Sequence, residues 1–355
     1  MTNANEKTRI DIAVAGLGRT GWRNHLLNLA KLGDLFRITA VADQLEERRN
    51  EAESQFGCRS HATLDELLAK ETPSWIVIAT PTFLHLDQTA AALSRGWNVI
   101  CEKPLAATVN EIRAMMAAAE KTGRTLTVFQ QNRYAADFVK VREVIDSRVL
   151  GRIVQIRSCM NGFNRRWDWQ TLQKNGGGTL NNTGPHPLDQ MLQLFGQDKP
   201  EVSCHMDCFI SVGDADDHVK LVLRGKNSPT IDLEISSVDA LGDRKWKVQG
   251  TCGGLEGSAT QLKWRFFDPA LLPTRQVDDG PPADRGYHRE DFPWQTADWQ
   301  EPADAEPAHI TYYRDLHDRL SQGLPPRITA LDALRVAEVI AECRHDSTRV
   351  HGSQV

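Results

Sequence analysis

The chain has no stretch approaching the roughly 20 apolar residues that a helix needs to cross a bilayer. Its opening residues, MTNANEKTRI, lack the apolar core of a secretory signal. Neither a membrane span nor export is expected, and the cytoplasm is the default compartment. There is no C-x-x-C pair: seven cysteines, an odd number, run from Cys58 to Cys343, against both a disulfide framework and a zinc ribbon. Cys204, His205 and Cys208 cluster, but on a strand the two thiols would share one face and the imidazole the other, so no metal is expected there. A basic surplus is also missing. With a net charge of −5 and scattered lysines and arginines, nothing forms the positive field that binds nucleic acid. Internal repeats are absent.

What is present is a globular composition, 355 residues of which 40% are hydrophobic and 25% charged. That length suits two domains, because single cores stop growing near roughly 250 to 300 residues. From Arg9 to Phe129, short β-branched runs (Ile10 to Ala15, Ile38 to Ala42, Trp75 to Ala79, Val99 to Cys101, Leu126 to Phe129) alternate with helical periodicity around Trp22 to Leu32, Leu45 to Phe56, Leu84 to Arg95 and Val109 to Lys121. Near-continuous apolar strands separated by helices predict a doubly wound parallel sheet, an α/β Rossmann domain over residues 1–134. After a helix near Asp137 to Ser147 the texture changes. Strands are expected at Ile153 to Met160, Glu201 to Ile210, His218 to Leu223, Thr230 to Val238, Lys245 to Gln249 and Leu262 to Phe267. Short polar turns between them predict an α+β domain, residues 135–355, with a large open, mainly antiparallel sheet. Seven prolines between Asp268 and His309 suggest an extended surface excursion. Helices near Ile310 to Gln322 and Ala330 to Arg344, within about 310–347, close the second domain.

The first strand runs into Gly16-Leu17-Gly18-Arg19-Thr20-Gly21 and then a helix. Gly16 allows the tight turn, Gly18 lets the backbone approach a pyrophosphate, and Gly21 lets helix and strand pack closely, with the phosphates at the helix N-terminus. The next strand ends in Asp43, placed to accept hydrogen bonds from the adenosine ribose. That favours NAD, while Arg48 and Arg49 behind it leave NADP open. The structural alternative is an ordinary glycine turn with Asp43 capping the next helix.

Two further segments lie where open α/β sheets bind ligands, beyond the C-terminal ends of strands: Thr80, Pro81 and His85, and then Glu102-Lys103-Pro104, with Gln131 following the last strand of the sheet. A glycine-rich block, GGGTLNNTGPHPLD from Gly176 to Asp189, opens backbone space and sets Asn182 one helical turn from His186. These segments, with the entry Gly151-Arg152-Ile153-Val154 to the second sheet, resemble the glucose-fructose oxidoreductase and inositol dehydrogenase family, Gfo/Idh/MocA, over essentially the whole chain. The resemblance implies that Lys103 and His186 flank a nicotinamide and the substrate carbinol, and that the C-terminal sheet mediates oligomer contacts, giving a homodimer or homotetramer. Many polyol-oxidising members have aspartate at the position of Asn182. An amide there can orient His186 but cannot stabilise an imidazolium by charge, a loss that Asp189 on the next helical turn could offset.

In this reading His186 takes the proton of a secondary alcohol and Lys103 hydrogen-bonds the same oxygen. Arg133, Tyr134, Arg165, Arg166 and Trp169 are candidate contacts to a sugar or polyol, with a solvated basic turn and core tryptophans as the alternative. Two other functions stay open: a redox-neutral epimerase or glycoside-cleaving enzyme with tightly held NAD, and a non-catalytic dinucleotide-binding regulator.

Overall fold

A computed structural model describes residues 9–242, 244–281 and 285–346. The polar residues 1–8 and the end of the expected closing helix at residue 347 lie outside the described residues.

The first sheet is built from β1 (Ile10–Ala15), β2 (Phe36–Ala42), β3 (Arg59–His61), β4 (Trp75–Ile78), β5 (Asn98–Cys101) and β6 (Leu126–Val128). Its order is β3-β2-β1-β4-β5-β6, and every neighbouring pair is parallel. The chain therefore leaves β1 in one direction, returns, and continues from β4 in the other, which opens a crevice beyond the carboxyl ends of β1 and β4. Helices cover both faces, so β1 and β4 are buried along nearly their whole length. The helix Val109–Thr122 shows the local logic. A capping box between Thr108 and Glu111 starts it, Ile112, Met115 and Ala119 face the core, and Gly123 at φ +63° ends it.

The second sheet has eight strands: β7 (Ile153–Asn161), β8 (Glu201–Asp207), β9 (His218–Arg224), β10 (Thr230–Ser236), β11 (Trp246–Gly250), β12 (Gly253–Gly257), β13 (Gln261–Phe266) and β14 (Gln295–Gln300). They lie in the order β14-β13-β12-β11-β7-β10-β9-β8, with β7 and β10 the one parallel pair. Alternation is strict where it matters. Val219, Leu221, Leu223, Ile231, Leu233 and Ile235 enter a core with the helix Pro185–Phe195, while Lys220, Asp232 and Glu234 pair on the opposite face at 2.6 and 3.2 Å.

Several elements differ from expectation. The proline-rich stretch is not wholly an excursion, since β14 pairs with β13 at the sheet edge. The glycine-rich β12 is a strand between β11 and β13. The helix Ala308–Ser321 packs not on the second sheet but into the first core, where Tyr312, Tyr313 and Leu316 are buried with β1 and β4. The last helix, Ala330–Asp346, serves both, giving Ala330 and Leu334 to one core and Val336, Val339, Ile340 and Cys343 to the other. None of the seven cysteines is in a disulfide, Cys204 points inward and His205 outward, and no group of metal-ligating side chains occurs among the described residues. Among the same residues no helix is long and apolar enough to cross a membrane.

Candidate active site

The crevice at the strand reversal is a cleft of about 1280 Å³, running from Gly16, Gly18, Arg19 and Thr20 past Asp43 and Arg48 and along Thr80 and Pro81 to Lys103 and Asn182. Its glycines are constrained differently. At Gly16, φ +90°, a Cβ would lie 2.6 Å from the Ala79 carbonyl oxygen, and at Gly21 one would lie 1.8 Å from the Gly16 oxygen. Either side chain would drive the loop off the sheet. At Gly18 a Cβ would meet nothing within 4 Å, so that backbone faces open cleft. The following helix opens with a wide π turn over Gly21–Leu26. Asp43 Oδ2 accepts the Leu17 amide at 2.7 Å, and Oδ1 that of Leu45 at 2.9 Å; Oδ1 keeps a lone pair for a further donor. Arg48 stands 3.4 Å from Asp43 Oδ2. An open glycine turn at a helix start, an arginine beside it and a ribose-height carboxylate fit a dinucleotide. Leu17 itself is buried and contributes its amide.

Lys103 follows β5. Its Nζ donates to the Asn182 carbonyl oxygen at 2.7 Å, joining the sheet edge to the glycine-rich block and leaving the other ammonium hydrogens for the cleft. Burial, reinforced by the charge of Arg19 and opposed by Glu102, holds its pKa below the ordinary lysine value. Glu102 is buried behind it, receiving the Lys103 amide at 3.0 Å and facing His25 Nε2 at 3.0 Å, with Tyr313 2.6 Å from His25 Nδ1. Burial would raise Glu102, but the His25 hydrogen bond and the neighbouring positive charges outweigh it and hold the carboxyl below its usual range. Glu102 and His85, both expected against the cofactor, line the cleft, Glu102 as a backing group and the largely buried His85 tying two loops together through the Thr80 carbonyl at 2.9 Å and that of Pro104 at 3.0 Å.

His186 is half-buried near Lys103, whose charge acts on it. Its Nδ1 lies 2.7 Å from Gln130 Oε1, and Gln130 Nε2 donates to the Pro185 carbonyl at 2.7 Å. A carbonyl only accepts, so the Gln130 amide has one consistent orientation, its oxygen faces His186, and Nδ1 carries the hydrogen. The lone pair is thereby placed on Nε2. Burial first, then the Lys103 charge, pushes the His186 pKa down to about 3. The folded state therefore holds this ring neutral where an unfolded chain would protonate it, so stability is present above about pH 6.5 and is lost as pH falls toward about 3. His186→Gln should flatten that loss by up to about 1.4 kcal/mol per pH unit, read as urea midpoints between about pH 7 and pH 5; equal slopes would show that the ring is not buried neutral.

The remaining candidates divide. Arg166 and Trp169 line the cleft, Arg166 being forked onto Asp168 at 2.8 and 2.9 Å. Asn182 lines it too, but its side chain meets Gln170 at 3.3 Å, not His186, so the orienting amide is Gln130 and the expectation for Asn182 is corrected. Arg133 is not in the cleft: it is buried in a fork on Asp189, 2.6 Å to each oxygen, and reaches Asp332 at 2.9 Å. That pairing also removes Asp189 as a partner for His186. Tyr134 donates to Asp315 at 2.8 Å, Arg165 to the Ile210 carbonyl at 3.1 Å, and Gln131 is buried; none lines the cleft. Gln130 was missed, since nothing in a Gln-Gln pair tells which side chain turns to the histidine.

A parallel six-stranded sheet with an open glycine turn, joined to an eight-stranded sheet whose glycine-rich block brings a histidine near a lysine, defines a two-domain dinucleotide-binding protein. The Gfo/Idh/MocA profile for an oxidoreductase family with an NAD-binding Rossmann fold matches residues 10–130, and the family's C-terminal domain profile matches residues 138–256. The chain belongs to the Gfo/Idh/MocA family, and its N-terminal domain is an NAD-binding Rossmann domain. An uncharacterized oxidoreductase of Schizosaccharomyces pombe is 26% identical over 97% of this chain and 98% of its own length. A second from the same yeast is 31% identical, but over 53% of this chain and 52% of that protein. The scyllo-inositol 2-dehydrogenase (NADP(+)) IolW of Bacillus subtilis is 26% identical over 54% of this chain and 53% of its own. These two matches thus span about half the length of the relatives. Among solved structures, an oxidoreductase of Bacillus subtilis superposes with TM-score 0.79 at 19% identity over 96% of this chain and 97% of its own. Levoglucosan dehydrogenase, in complex with NADH and levoglucosan, does so at 0.78 and 22% identity over 96% and 97%.

Proposed function

We propose that the protein is an NAD(P)-dependent dehydrogenase or reductase that acts on a secondary alcohol of a sugar, cyclitol or related polyol. The observation that carries this reading is a desolvated Lys103 amine lining a cleft suited to a dinucleotide, with His186 near enough to feel its charge and held by Gln130 with the lone pair on Nε2. Gly16, Gly18, Arg19, Thr20 and Asp43 would hold the cofactor, which when bound supplies the nicotinamide that accepts or returns hydride. The chain does the rest. In oxidation His186 Nε2 receives the hydroxyl proton, while Lys103 donates a hydrogen bond to the oxygen as it gains negative charge. An ammonium already deprived of water solvates that charge without reorganising, which is why its burial serves the reaction. In reduction the proton returns from His186 to the new hydroxyl. Asp43 favours NAD, and Arg48 beside it is the residue that would meet a 2′-phosphate.

A regulator needs neither the desolvated lysine nor a histidine of set tautomer. The names of relatives, an inositol dehydrogenase and a levoglucosan dehydrogenase, support the polyol class. The test is a screen of sugars, sugar acids and inositols with NAD and with NADP, following reduced-nicotinamide absorbance. Turnover is expected with at least one polyol and to depend on added cofactor. Gel-filtered protein that retains cofactor and transforms a sugar without added NAD would replace this reading with the redox-neutral one.

A further inference from the structure

A second cavity, of about 850 Å³, opens on the other side of Lys103. Its deep wall is apolar: Leu105, Ile112, Val128, Met206, Val336 and Ile340 line it and are all buried. The last helix presents Ala333, Val336, Ala337 and Ile340 to it at i, i+3, i+4 and i+7, a single stripe of small and aliphatic side chains. The rim is polar, with Asn175, Asn181 and Arg344, whose guanidinium hydrogen-bonds Asn181.

Cavity and cleft meet: Pro81, Thr82, Phe83, Lys103, Pro104 and Trp169 line both. At that junction two large aromatics stand exposed, Phe83 at 77% and Trp169 at 58%. Aromatic faces suit the C–H faces of a sugar ring, whereas the deep wall formed by Leu105, Ile112, Val128, Met206, Val336 and Ile340 carries no side-chain donor or acceptor, and hydroxyls pressed against it would lose water without replacement. An apolar ring would gain what the hydroxyls lose.

We propose that this cavity is an aglycone site and that the substrate is a glycoside, its sugar ring held at Lys103 between Phe83 and Trp169 and an apolar, aryl-sized aglycone seated against the last helix. This rests on the dehydrogenase reading above and narrows its substrate class. The test compares matched free sugars with methyl and phenyl glycosides of glucose, galactose and xylose. For a reactive sugar, the phenyl glycoside should exceed the methyl glycoside in kcat/KM by roughly tenfold or more, through KM. Ala337→Trp and, at the exposed end of the stripe, Ala341→Trp should bring that ratio near one through the phenyl glycoside's KM, and Ala341→Trp should leave NADH binding and Tm unchanged. Equal values for the two glycosides in the unaltered protein, or a ratio that persists in both variants, would overturn the proposal. Equal values together with a changed oligomeric state in Ala337→Trp would give the cavity to a second copy of the chain and overturn it too. If no sugar is turned over, the dehydrogenase reading fails by itself. Calorimetry of phenyl glycosides with NADH-loaded protein then decides the cavity: binding lost in Ala337→Trp sustains it, and no binding overturns it.

Discussion

Lys103→Met should lower kcat/KM for polyol oxidation by roughly 10²- to 10³-fold, the size of effect seen when a preorganised donor to a developing oxyanion is removed from a water-shielded site. NAD affinity should change little, because the residues proposed to hold the dinucleotide, the glycine turn and Asp43, line another part of the cleft. Stability should not fall, and a rise in Tm is consistent with removing a desolvated ammonium in favour of a methionine of similar length. Lys103→Arg should not restore activity: the guanidinium fork is planar, whereas Nζ points one hydrogen at the Asn182 carbonyl and the others into the cleft. Steady-state kinetics with NADH fluorescence titration and thermal melts measure all three. Activity of Lys103→Met within tenfold of the unaltered protein would remove the amine from the chemistry.

Gln130 should be nearly as sensitive, although its part in the proposed chemistry is to orient His186. Gln130→Leu removes the acceptor for His186 Nδ1–H, frees the ring to adopt the other tautomer, and should cost about 10- to 100-fold in kcat with little change in KM, as losses of orienting partners do. Gln130→Glu separates positioning from packing. A carboxylate still accepts from Nδ1, but it also favours the imidazolium and raises the His186 pKa by roughly one to three pH units. Oxidation requires neutral Nε2. With the ring held near 3, the unaltered protein should show no acid limb from His186 above about pH 5, whereas Gln130→Glu should lose activity progressively as pH falls through the assay range. A pH profile identical in both would mean that Gln130 does not govern the histidine.

Much of this was legible in the sequence because local chemistry carries it. Alternating apolar runs and helices announce the parallel sheet, and the glycine turn, Lys103 and His186 sit in motifs whose residue types have few other uses. Elements were missed where side chains alone do not mark the backbone. β3 has three residues and a polar character, β12 reads Gly-Gly-Leu-Glu-Gly as a turn, and β14 is a polar edge strand, each a strand because a neighbour pairs with it. Long-range partners decided the rest. Arg133 has the type and place of a substrate contact, but acids 56 and 199 residues further on, Asp189 and Asp332, claim its guanidinium. Tyr312 and Tyr313 complete a core whose strands end near residue 128, a contact no local pattern encodes. Gln130 differs from Gln131 only in which way the backbone turns it.

The central claim is that Lys103 and His186 act on one oxygen. A double-mutant cycle on kcat/KM with Lys103→Met and His186→Gln, singly and together, tests it most directly. Two groups serving one proton transfer should give a double variant no more than about threefold slower than the slower single variant. Losses that multiply would mean that the two side chains work on separate steps or separate atoms, and would contradict the account.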